Sequence, residues 1–249
     1  YLVHIDENGK SSMRAVIEQM QQTYDLQVNG YYSQLHLLED SLLQEKELSL
    51  ETDKKFFEVW QKKSESTLIF LQENGKAITA DGTKLRVDMP SKLLLDLRNG
   101  YNIGKLVCLD YEHTKKEGYL VAIPCEEYTI NGETYTAIGT VYNHSRLDSM
   151  LKLKGYDGNA YLFMLDSDGN VTYTNQEEDI FFRNYSLLKH LLKAQAITKN
   201  EMAILNKKLE KKEQGVELLG KENRYYLGYC PIESNNSMLI CIVKKGVVD

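Results

Sequence analysis

The chain has 249 residues, 42% of them hydrophobic and 27% charged, enough for one large domain or two small ones with ordinary cores. A net charge of −6 argues against nucleic acid as a partner, because phosphate binding needs a basic surface. No apolar run approaches the ~18 residues of a membrane span, and no secretory leader pattern opens the sequence.

Residues from about Ser11 to Lys63 read as helix. Val16, Met20, Tyr24, Leu26, Tyr31, Leu35, Leu38, Leu42 and Leu43 recur at three- and four-residue steps. Gly30 is a candidate bend or break. Asp53 is a candidate cap for a second turn carrying Phe56, Phe57 and Trp60 on one side. Some 40 helical residues would extend ~60 Å, more than a small domain is wide, so this helix both packs and connects.

After Ser66 the period changes to two. "TLIFLQENGKAITADG" reads as strand, turn, strand, with Asn74-Gly75 at the turn. A short helix is expected from Pro90, at its first position, to Arg98, with Gly100 near its end. "KLVCLDY", "GYLVAIPCEEYTI" and "ETYTAIGTVYN" read as three strands, the last two joined at Asn131-Gly132. A helix follows from about Ser145 to Lys154.

The second half repeats this order. "AYLFMLDSDGNVTYTN" is strand, turn, strand. A helical region runs from Ile180 to about Lys212, and "GVELLGK", "NRYYLGYCPI" and "SMLICIVKK" close the chain as strands. Setting Gly75 on Gly169, an offset of 169 − 75 = 94, places Leu68 on Leu162, Leu71 on Leu165 and Ala77 on Val171. Self-similarity at such spacing means duplicated structure. The fold class is therefore α+β: a long N-terminal helix (1–63), then two modules (64–147 and 148–249), each an antiparallel five-strand sheet with helices.

Chemical motifs are few. Counted from Asp166, an EF-hand would use Asp166, Asp168, Asn170 and Glu177, but its obligatory glycine position holds Val171. The following residues are strongly β-forming, so a hairpin turn is the preferred reading and no metal site is expected. His4, His36, His113, His144 and His190 lack metal-binding spacing. Cys108, Cys125, Cys230 and Cys241 form no CxxC pair and read as buried free thiols, with a Cys108–Cys125 disulfide as the alternative. No nucleophile elbow, phosphate loop or dinucleotide fingerprint is present, so neither an enzyme nor a cofactor is expected within these residues. The "NKKLEKKEQG" run reads as a solvated helix end.

Seventeen tyrosines against six phenylalanines is the compositional outlier. Tyrosine suits a half-wet sheet face, and equally the wall of a small-ligand pocket. The second reading places a pocket between the first sheet and its covering loops, with Asn99–Gly104 as a lid. Arg98, Tyr101, Asp110, Tyr119 and Tyr142 would converge there.

The order of elements, and the stretch "AIGTVYNHSRLDSMLKLKGYDGNAYLFMLDSDGNVTYTN", resemble the double Cache family of tandem PAS-like extracytoplasmic sensor domains. Gly155 to Tyr161 and Asp166 to Val171 occupy the places of that family's "GxxGxAYLxDxDGxV"-like hairpin. The resemblance implies a membrane-distal first module that binds a small molecule and a membrane-proximal second module. It implies membrane helices flanking a fragment on the extracytoplasmic face, and a homodimer through the long helix. It also implies a parent that is a sensor histidine kinase, a diguanylate cyclase or a chemoreceptor. Amino-acid-binding members carry an Arg-rich aromatic stretch and an Asp ending the last strand of the first module. The stretch is absent, and Asn143 stands at the Asp position. Asn143 thus joins the candidate ligand residues, and an α-amino acid is disfavoured. The alternative function is a ligand-free dimerisation or partner-binding module.

Overall fold

The computed structural model describes residues 2–88, 91–152, 156, 158–176, 185–221 and 224–248. The amphipathic N-terminal pattern forms one helix, α1 (Leu2–Leu42), with no break at Gly30. Met13, Ile17, Met20, Tyr24, Val28, Tyr31, Leu35 and Leu38 are its buried stripe. Leu26, expected on that stripe, is 79% exposed, and Val28 takes its place. A separate helix α2 (Lys54–Ser64) buries Phe57, while Phe56 remains exposed.

The chain divides into two compact units: Leu26–Ser149, and Tyr1–Asp25 together with Met150–Asp249. α1 contributes to both.

The first unit, the barrel unit, contains β1 (Thr67–Leu71), β2 (Lys76–Thr79), β3 (Lys84–Asp88), α3 (Ser91–Arg98), β4 (Ile103–Asp110), β5 (Lys115–Ile130), β6 (Glu133–Tyr142) and the start of α4 (His144–Met150). Its strands close into an antiparallel barrel in the order β1-β2-β3-β4-β5-β6, with β1 returning to pair with β6. Five strands were expected. The sixth is β3, whose alternating burial puts Leu85 and Val87 inside and Lys84, Arg86 and Asp88 outside. It pairs with β2 and β4, and so links two edges that would otherwise stay open.

The second unit, the sheet unit, contains β7 (Ala160–Leu165), β8 (Val171–Thr174), α5 (Leu187–Lys193), α6 (Lys199–Glu210), β9 (Gly215–Leu219), β10 (Tyr225–Ile232), β11 (Ser237–Lys244) and α7 (Lys245–Val248). Its five strands lie in the order β8-β7-β11-β10-β9. The expected helical region is interrupted between α5 and α6, where Gln195 takes a positive φ of 59°. Thr198 then starts α6 with a capping box: its side chain accepts from the Glu201 amide, and Glu201 accepts from the Thr198 amide. Residues 177–184, where that region was expected to begin, lie outside the described residues, as do Pro90, Gly155 and Asp157.

The duplication is exact at the first hairpin of each unit. The Gln72 amide donates to the Lys76 carbonyl (2.8 Å), and the Asp166 amide to the Asn170 carbonyl (2.9 Å), each 94 residues on. Gly75 and Gly169 both have positive φ, 88° and 81°, which glycine adopts without strain. The units then diverge. The Gly75 carbonyl accepts from Val87 of β3, whereas the Gly169 carbonyl accepts from Leu187 at the start of α5. Among the described residues of the sheet unit, Asn170 and Ser186 form an isolated bridge.

The four cysteines are free; Cys230 and Cys241 are buried, and Cys108 and Cys125 only half-buried. No described helix is long and apolar enough to cross a membrane.

Candidate functional site

In the barrel unit β1, the middle of β5 and β6 are buried on both faces, and the two faces differ in chemistry. The inner face is aliphatic: Ile69, Leu71, Ala77, Leu85, Val87, Ile103, Val107, Leu109, Leu120, Ala122, Ala137 and Val141 form one cluster, joined by Leu97 of α3. Lys105 interrupts it. On β4 burial alternates through Ile103, Lys105, Val107 and Leu109, so Lys105 occupies an inward position. It is 7% exposed, and it is the one buried charged side chain among the described residues. Its cross-strand partner on β5 is Leu120.

The outer face is aromatic and packs against helices. Phe57 of α2 meets Phe70 edge-on at 5.9 Å, and Phe70 meets Tyr128 at 6.2 Å. Tyr128 lies parallel to Tyr135 at 5.7 Å and donates its hydroxyl to the Ala137 carbonyl at 2.6 Å. This bond falls beside the register shift between Pro124 and Tyr128, where the β5–β6 ladder is interrupted. Further along β6, Tyr142 stacks on Tyr31 of α1, with centroids 4.6 Å apart. The Arg146 guanidinium sits 4.9 Å over the Tyr142 ring, donates to the Tyr31 hydroxyl at 3.3 Å and lies 3.8 Å from Glu65. Burial pushes the Tyr142 hydroxyl well above its usual range; the Tyr31 hydroxyl adds to this and Arg146 opposes it. Gly104 completes this face. A Cβ there would stand 2.9 Å from the Tyr119 hydroxyl and 3.2 Å from both the Tyr32 hydroxyl and a Val28 methyl, so the helix can lie this close only over a glycine.

The six candidate ligand residues are not gathered into one pocket. Tyr119 and Tyr142 do meet, as cross-strand partners, but on the outer face beneath α1. Asn143 is exposed, and its Oδ1 accepts from the Ser145 amide at 3.0 Å, which starts α4. Tyr101 is 63% exposed. Asp110 turns its carboxylate to the Glu112 amide (3.0 Å) and borders an open recess of about 500 Å³ with Lys76, Lys84 and Arg86. Arg98 lies 3.9 Å from Glu73 and borders a different shallow recess with Glu127 and Thr134. The physical reason is parity: odd-numbered positions of β4 point inward, while Tyr119 on β5 and Tyr142 on β6 take the opposite parity from Leu120 and Val141. The sequence pattern places the start of this strand at Lys105, where a lysine reads as an edge residue; the strand begins two residues earlier, at Ile103. A strand starting at Ile103 would have exposed it as a charge within an apolar alternation.

In the sheet unit the acidic hairpin is a turn. Asp166 Oδ1 accepts from the amides of Asp168 (2.9 Å) and Asn170 (3.0 Å), the geometry of an Asx-turn. Among the described residues no three His, Cys, Asp or Glu side chains gather as metal ligands would, and Glu177 lies outside them. The hairpin borders a recess of about 440 Å³ with Leu188, Met202, Asn206 and Met238. Elsewhere α1 is tied to this unit through its own tyrosine: Asn235 donates to the Tyr24 hydroxyl at 2.9 Å, and Ser234 donates to Asp25.

No family model and no curated protein matches the sequence. Solved structures do match, at low identity and over nearly the full length. The ligand-binding domain of the Pseudomonas aeruginosa PAO1 amino acid chemoreceptor PctB, in complex with L-Arg, matches with a TM-score of 0.63 at 13% identity, covering 96% of this chain and 97% of that one. The periplasmic sensory domain of the Campylobacter jejuni chemoreceptor Tlp1 gives 0.57 at 13% identity, with 98% of each chain covered. The sensor domain of the V. cholerae histidine kinase DctB gives 0.53 at 10%, again with 98% of each chain covered. The fold is therefore that of the periplasmic sensory domains of chemoreceptors and histidine kinases, as the double Cache resemblance implied.

Proposed function

We propose that this chain is the extracytoplasmic ligand-sensing domain of a membrane-bound signal-transduction receptor, with a histidine kinase or diguanylate cyclase as output. It binds a small molecule in the barrel unit, the membrane-distal module of the arrangement. The observation that carries this reading is the match of fold over 96% of the chain to a ligand-binding domain solved with its amino acid bound. The tyrosine contacts of the outer face support it, because they couple β6 and α4 to α1. A ligand that favours one packing of the barrel would bias that helix, provided it binds the two packings with different affinity.

The test is a thermal-shift screen of the whole chain against metabolite mixtures, followed by calorimetric titration of any hit. Saturable stabilisation by a single compound is expected. Silence across the screen refutes the reading.

A second reading has its own observation. Leu26 and Leu37 are 79% and 67% exposed and eleven residues apart, so they lie on one face of α1. A homodimer through this helix would cover them. Sedimentation of the native chain against Leu26→Lys/Leu37→Lys should show a dimer that the double variant loses; a monomer at every concentration refutes it.

A further inference from the structure

We propose that the recess beside the acidic hairpin of the sheet unit is a second small-molecule site, which takes an ammonium on a short apolar chain with the Asp166 carboxylate as counter-ion. The recess, of about 440 Å³, has the size of a small-ligand pocket, and all its lining residues belong to this unit. Its floor is apolar: Leu165, Leu188 and Met238 are buried there, and Met202 and Leu209 pack against the same core. The unbranched methionines can fit their shape to a guest. Charged side chains border the floor. Asp168, Glu210, Lys189 and Lys212 are exposed, two of each sign, and water screens them. Asp166 is half-buried next to Leu165, so its charge sets the sign of the field at the floor. The recess also lies at the C-terminal end of α6, where the helix dipole is negative. The hairpin does not need this charge. Asp166 Oδ1 accepts from the amides of Asp168 and Asn170, a task that a neutral amide oxygen also performs. In the first copy Gln72 stands at the place of Asp166, 94 residues earlier, and Asn74 Oδ1 accepts from the Lys76 amide at 3.0 Å instead. Asp166 thus supplies a charge beyond what the turn requires, at the edge of an apolar floor. Asn206 donates to Glu210 at 3.3 Å, which leaves its amide oxygen to accept an ammonium proton. A carboxylic acid would meet Asp166 as a like charge, and an alcohol would leave that charge uncompensated.

The experiment titrates the whole chain with the hydrochlorides of methylamine, propylamine, butylamine and pentylamine, against butanol, sodium butyrate, sodium chloride and calcium chloride. Melting temperature and calorimetry are read together. The longer amines should bind saturably, each added methylene tightening binding by up to about fourfold, and butanol and butyrate should not bind. Asp166→Asn, which keeps an oxygen for the two turn amides, should remain folded by circular dichroism and lose at least about tenfold in amine affinity, the usual cost of a charge-assisted bond. Asn206→Phe, a change at an exposed position of α6, should fill the recess and abolish amine binding. Should Asp166→Asn not fold, Asn206→Phe decides alone. The inference is overturned if no amine binds, if butanol or butyrate binds as well as butylamine, or if either folded variant binds butylamine as tightly as the native chain. Calcium binding in place of the amines, lost in Asp166→Asn, would assign the recess to a metal and overturn it too. A metabolite that binds the native chain and both variants alike would uphold the sensing function proposed above whatever the amines do, so the two readings fail separately.

Discussion

Adding one methyl group to Gly118 should destabilise the barrel unit measurably. Gly118 lies on β5 with its missing side chain directed inward. A Cβ built there stands 2.4 Å from a Val141 methyl and 3.1 Å from a Leu109 methyl. Ordinary carbon contacts are about 3.5–4.0 Å, so Val141 must retreat by more than 1 Å. It is poorly placed to do so, being β-branched, stiff at its first torsion and 8% exposed on a strand paired on both sides. Overpacking of this kind costs about 1–3 kcal/mol. The φ of Gly118 is not in the left-handed region, so alanine returns about 0.4–1 kcal/mol by restricting the unfolded chain. The net loss should be about 1–2 kcal/mol. With a urea slope of about 2 kcal/mol/M, the midpoint falls by about 0.5–1 M. The assay is specific to this unit, because the single tryptophan, Trp60, lies in α2 within Leu26–Ser149. A Val141→Ala background removes the clash, so Gly118→Ala should cost less than about 0.5 kcal/mol there. An unchanged or raised midpoint for Gly118→Ala, or an equal penalty in both backgrounds, refutes the packing argument.

Other outcomes follow from the same structure. Arg146→Ala should cost about 1–3 kcal/mol by Trp60-detected unfolding, losing the ring contact with Tyr142 and the bond to Tyr31 but little from exposed Glu65; Arg146→Lys should restore less than half, since an ammonium lacks the flat stacking face. Tyr128→Phe leaves the buried Ala137 carbonyl without its 2.6 Å partner and should cost about 1–3 kcal/mol in the same assay. Burial pushes the Cys125 and Cys241 thiols up to about 12 and Cys230 to about 11 from 9.0, and the Tyr225 and Tyr229 hydroxyls to about 12 from 10.0. Each group keeps its proton longer folded than unfolded, so stability is full below about pH 9 and should fall as pH rises toward 12; melting temperatures that stay level from pH 8 to 11 contradict this. Chelation by EDTA should leave the melting temperature unchanged, whereas Asp166→Ala should lower stability by about 1 kcal/mol through its two amide bonds.

Much of the architecture is local and therefore legible in the residues. Asn74-Gly75 and Asp168-Gly169 place the two hairpins because their backbone angles are accessible to few other pairs. The offset of 94 between them predicts the duplication, and the three- and four-residue spacing predicts α1. The third strand of the first module, Lys84–Asp88, was not read, because five alternating residues after a turn carry little signal of their own. Its pairing with both β2 and β4, a long-range matter, makes it a strand.

The candidate site was less legible for a different reason. A period of two says that Tyr119 and Leu120 face opposite ways, and that Lys105 shares a face with Ile103 and Val107. It does not say which face is the barrel interior when both are buried, one by aliphatic side chains and the other by α1. The sequence by itself determined the elements, their order, their duplication and the alternation along each strand. Only the tertiary structure decided that the tyrosines lie under the helix and the lysine lies within, because closure of the barrel and the seat of α1 over Gly104 depend on contacts between residues far apart in the chain.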